Sequence, residues 1–156
     1  MSEPSRSAAR SLTASTVLWI AMALWVGSLA LPAYREVDGG TWILGVFVLL
    51  FGEFGCLGGI PCWYANPVAW WCWQRVLATK EAGWPTLLAI WFVTLIAVPA
   101  LRIKEIPTID VSDKVEPAVG VYVWVASIGL TAIGVTMAVV GRGRTVPPPP
   151  PPPLTP

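Results

Sequence analysis

One carboxylate, Glu53, sits inside an apolar run, Trp42 to Ile60 (WILGVFVLLFGEFGCLGGI), that holds no other charge. At about 1.5 Å per residue the run is close to the ~30 Å hydrocarbon thickness of a bilayer. Glu53 lies about 16 Å into it, near the midplane. A carboxylate kept from water carries a proton, binds a cation or finds a basic partner. Arg75 is the expected partner. A hairpin turning near residues 61–66 brings Glu53 and Arg75 to similar depth, each about ten residues from the turn. A buried pair of this kind is tolerated only while both members are present. A proton- or cation-handling pathway is the alternative use of Glu53, and a contact with another subunit is a third.

Other chemistry is sparse. The chain has no His, which removes the imidazole base, the Ser-His and Cys-His relays and imidazole metal sites. Its three cysteines, Cys56, Cys62 and Cys72, fall in or beside apolar segments and behave as small hydrophobes. Cys56 and Cys62 are also candidates for pairing if their turn faces an oxidising compartment. No nucleophile–base pair, phosphate-cradling glycine loop or metal-ligand spacing is visible, so no catalytic residue, metal or cofactor is expected.

Composition sets the class. Of 156 residues, 55% are apolar and 12% charged, against about 45–50% and 25% in soluble domains. A net charge of +1 gives no case for nucleic acid. Ten tryptophans fit a chain that meets membrane interfaces. The expected fold is all-α: an integral membrane bundle of four or five helices, over residues 14–32, 42–60, 67–79, 84–101 and 119–140. Residues 1–13 form a polar, basic cytoplasmic segment. Ser28-Leu29-Ala30 also fits a signal-cleavage pattern, but the spans that follow favour an uncleaved first helix. The loop at 33–41 turns at Gly39-Gly40. Residues 102–118 are a charged connector whose scattered Ile and Val suit a bilayer surface or a short extended segment. Residues 141–156 carry a run of prolines, Pro147 to Pro153, expected as a disordered tail.

Asn66-Pro67 reads as a helix start, with Asn66 as cap and Pro67 at the first helical position. The third helix, 67–79, is short for a crossing at about 20 Å. If it only dips, Arg6, Arg10, Arg75, Lys80, Arg142 and Arg144 lie inside against four basic residues outside. If it crosses, Arg6, Arg10, Arg102, Lys104 and Lys114 lie inside against four. The positive-inside rule barely separates the two. Gly45, Gly52 and Gly59 recur along one side of the second helix, and Ser127, Thr131, Gly134 and Ala138 form a stripe on the fifth. Both read as helix-packing faces. Trp63, Tyr64, Trp70, Trp71 and Trp73 cluster at the start of the third helix, as interface anchors or as the lining of a lipid or quinone pocket.

The segments WYANP (63–67) and GVYVWVAS (120–127) resemble two marks of a family of small bacterial inner-membrane proteins. In that family a similar WYANP precedes an apolar helix and a similar GxYxWxAS opens the last one. The likeness covers residues 15 to 140. It implies a multi-helix protein of the bacterial inner membrane with a crossing third helix, and carries no activity or ligand. Glu53, Gln74-Arg75 and the proline tail depart from the pattern. The expected role is a non-enzymatic accessory or scaffolding subunit, with membrane lipids, other membrane subunits or further copies of itself as partners. The alternatives are a small transporter or channel component using Glu53, and a lipid- or quinone-binding module.

Overall fold

The computed structural model describes residues 6–57, 61–79, 81–107 and 112–142. The chain is mostly helical, and three of its helices are long and apolar enough to cross a membrane, over Thr13–Ala30, Trp84–Arg102 and Val119–Gly141. They belong to α1 (Arg6–Ala30), α4 (Trp84–Ala97, drawn on by a 3-10 turn at Val98–Arg102) and α5 (Val119–Arg142). Two shorter helices lie between α1 and α4: α2 (Gly45–Leu57) and α3 (Ala65–Trp73). A 3-10 turn at Pro61–Tyr64 leads into α3, and a π-helical segment at Gln74–Ala78 carries it on.

The expectation of an all-α chain needs correction. Both polar connectors pair into an antiparallel sheet of β1 (Pro32–Glu36), β2 (Trp42–Leu44), β3 (Glu105–Pro107) and β4 (Ser112–Pro117), in the order β2-β1-β4-β3. The first four residues of the expected loop at 33–41 belong to β1, and Gly40, at φ +67°, makes the turn towards β2. Register places Arg35 opposite Glu116 and Glu105 opposite Lys114. Opposite charges facing across strands stabilise the pairing. The apolar run at 42–60 is therefore no single helix: Trp42, Ile43 and Leu44 are taken by β1, and α2 begins at Gly45.

Contacts give the helix directions. Gly134 of α5 lies against Leu18 of α1, and Gly120 against the carbonyls of Leu31 and Pro32. The two helices thus run antiparallel, with the sheet at the end where α1 finishes. α3 runs parallel to α5, since Asn66 meets Trp124 and Trp73 meets Thr131. α4 returns towards the sheet, where Tyr34 reaches Ala100. One buried cluster joins Leu18, Ala69, Cys72, Trp73, Ile90, Val93, Ile128 and Val135 between the helices. A second, of Ala33, Tyr34, Ala100, Val115 and Val121, lies under the sheet, and Trp124 packs against both.

Candidate functional site

The polar heart of the bundle is Asn66. Its Oδ1 accepts a hydrogen bond from the indole Nε1 of Trp25 at 2.9 Å and another from Trp124 at 2.8 Å. A carboxamide oxygen has two lone pairs, and both are used here. One side chain of α3 thereby ties α1 to α5. Asn66 is not the helix cap that Asn-Pro suggests. α3 starts at Ala65, and its N-cap is Tyr64, which makes no side-chain cap bond. The 3-10 turn at Pro61–Tyr64 already winds the chain into helical geometry. The start is thus set before Asn66, which frees its carboxamide to face inwards. Pro67 is the third residue of α3 and not its first, still within the first turn, where a missing N–H costs nothing.

Further polar bonds descend from this point along α5. Ser127 Oγ donates to the carbonyl of Trp124 at 2.7 Å, and Thr131 Oγ1 to that of Ser127 at 2.9 Å. Trp73 Nε1 donates in turn to Thr131 Oγ1 at 3.1 Å. Trp73 is buried, with its ring edge-on to Trp25 at 5.8 Å. The expected aromatic cluster is thus divided. Trp73 belongs to the core. Trp63 donates to the carbonyl of Leu49 at 2.7 Å and meets Tyr64 edge-on. Trp70 and Trp71 are exposed. Trp70 meets Trp73 edge-on at 6.2 Å.

The stripes of small residues pack, but not on each other. A Cβ on Gly45 would meet the backbone of Ser28 and Leu29, and one on Gly52 would meet the Trp63 ring. Gly59 lies outside the described residues. Ser127 and Thr131 are fully buried, Gly134 lies on Leu18, and Ala138 borders the core. The α5 stripe therefore packs within the chain.

Arg75 forms an ion pair with Glu81, Nη1 to Oε2 at 2.7 Å, across the turn that follows α3. The backbone of Glu53 is in α2, and its side chain lies outside the described residues. The two elements do not run as the matched hairpin that would set Glu53 and Arg75 at one depth. α2 meets the chain again at Trp63, before α3 begins, while Arg75 is about 15 Å further along α3.

At the sheet end, the Tyr34 hydroxyl donates to the carbonyl of Ala100 at 2.9 Å. Burial pushes its phenol above the ordinary range, and the nearby Cys62 thiol adds to the rise.

Sequence reasoning missed the Asn66 junction, although both of its motif halves were in view: Asn66 lies in WYANP and Trp124 in GVYVWVAS. Asn66 to Trp124 and Trp73 to Thr131 span the same interval of 58, which follows from the parallel run of α3 and α5 and shows only once those helices are paired. No protein-family model matches the chain, and no curated protein and no solved structure matches it.

Proposed function

We propose that the chain is an integral membrane protein of the bacterial inner membrane, acting as a non-enzymatic accessory or scaffolding subunit. Four segments cross in this reading: α1, α3 with its π segment, α4 and α5. The short α3 suffices because it starts at the depth of Trp25, five residues before the end of α1. That offset of about 8 Å and about 21 Å of helix together match the hydrocarbon thickness. α2 stays in the leaflet beside the sheet.

Charge supports an orientation. Arg6, Arg10, Arg75, Lys80, Arg142 and Arg144 belong, by chain order, to the end away from the sheet, against Arg35, Arg102, Lys104 and Lys114 at the sheet end. The positive-inside rule then favours cytoplasmic termini and an external sheet.

The observation that carries the scaffolding role is the pairing of polar groups where α1, α3 and α5 meet. The Oδ1 of Asn66, the indoles of Trp25, Trp124 and Trp73 and the hydroxyls of Thr131 and Ser127 pair with one another or with nearby carbonyls. What remains for partners is the outer surface, above all the α4 face of Trp84, Leu88, Trp91, Phe92 and Leu95. A photo-crosslinking residue at Leu88 or Leu95, tested in native membranes, is expected to yield discrete protein adducts. Adducts with lipid alone would overturn the scaffolding role. A transport role rests on Glu53, and a proton flux in liposomes abolished by Glu53→Gln would replace the present reading with it.

A further inference from the structure

We infer that Arg75, braced between Glu81 and Trp71, is a binding site for the phosphate of an anionic phospholipid. The inference rests on the bilayer reading above. Arg75 sits where α3 ends and the chain turns towards α4. Its carbonyl accepts both the Glu81 amide at 2.9 Å and the Thr79 hydroxyl at 3.1 Å. The Thr79 amide bonds back to Gln74 at 3.1 Å, closing the π-helical segment. Such segments are rare and recur at functional sites. Here the segment fixes the backbone of Arg75 and so presents the side chain in one place.

The guanidinium is incompletely used. Glu81 takes Nη1, and the group lies over the Trp71 ring at 5.7 Å. Nε is shut away from solvent with no acceptor. A buried donor left unmade is costly, and each such group calls for a physical explanation. The side chain as a whole is 39% exposed and its partner Glu81 64% exposed. The pair can therefore open at its outer side. A guanidinium presents donors in a planar fork that matches two phosphate oxygens, and the exposed outer side of Arg75 offers such donors. Glu81 then acts as an internal stand-in that a phosphate displaces.

Depth selects a lipid as the source of the phosphate. Trp71 and Trp84, exposed on either side of the turn, are the residue type that settles at the headgroup level. In the orientation proposed above, this end faces the cytoplasmic leaflet, which holds anionic lipids.

The test uses the full chain in lipid nanodiscs of equal phosphatidylglycerol and phosphatidylcholine, with native mass spectrometry of the retained lipids. Wild-type protein is expected to retain the anionic lipid over the neutral one, with the basic residues of this end all contributing. Arg75→Gln should lower the ratio about fivefold, the factor that goes with one arginine near a membrane surface, and Glu81→Gln should raise it above wild type by freeing the guanidinium. If Arg75→Gln fails to fold, Glu81→Gln decides alone, and no rise overturns the site. Equal ratios in all embedded variants overturn the site but leave the bilayer reading standing. Protein recovered outside the discs overturns both. Inorganic phosphate added in neutral detergent should leave the melting temperature unchanged. A shift matching that produced by phosphatidylglycerol would assign the site to a free anion instead.

Discussion

Asn66 shows how much a single acceptor carries when its donors are tryptophans of two other helices. Asn66→Ala leaves the Trp25 and Trp124 indoles without their acceptor and should cost about 2 kcal/mol or more. The loss is measurable as a lower melting temperature in detergent, with a shift in tryptophan emission as those indoles change surroundings. Tyr34 makes a different prediction. Its folded phenol holds its proton beyond the ordinary value of 10, so folding competes with ionisation. Its contribution to stability is complete below about pH 10, the unfolded value, and is lost as pH rises towards the folded one. Phenolate absorbance should show one of the three tyrosines ionising only as the protein unfolds, and Tyr34→Phe should remove that late phase. The sequence marked Asn66 as special but for the wrong reason. Asn-Pro is a sound local signal for a helix start, and a preceding 3-10 turn overrode it.

Among the elements, the long helices were legible and the sheet was not. α1, α4 and α5 each carry an uninterrupted apolar stretch, which local composition reveals. The strands are three to six residues long. Strands that short form only by pairing, and β1 pairs with β4 from the far side of the chain. No window along the sequence contains both partners. The same pairing shortened the expected second helix by claiming Trp42 to Leu44. Packing of α5 on α1 has a direct test. Gly134→Leu would push into Leu18, where an added Cβ already comes within 2.7 Å, and should destabilise by about 1–3 kcal/mol. Gly129→Ala is the control, because nothing lies within 4 Å of a Cβ there. It should melt at or above the wild-type temperature, since alanine is the better helix former.

For the whole molecule, the proposed orientation predicts a labelling pattern. In intact cells, a membrane-impermeant maleimide should react with Asp38→Cys, in the turn between β1 and β2, and not with Glu81→Cys, in the turn before α4. The reverse pattern would invert the molecule. The meeting of α1 with α5 has a further consequence, in time rather than space. α1 is made well before α5, against which it packs: Leu18 waits for Gly134, Asn66 for Trp124, and β1 for β4. At roughly 5–20 residues per second, about 4–18 s separate the emergence of Ala30 from that of Val119. Through that interval α1 must persist in the membrane with its partner face open. A chain halted before α5 would present that face and an uncovered Asn66 together, so it is the arrival of α5 that closes this bundle.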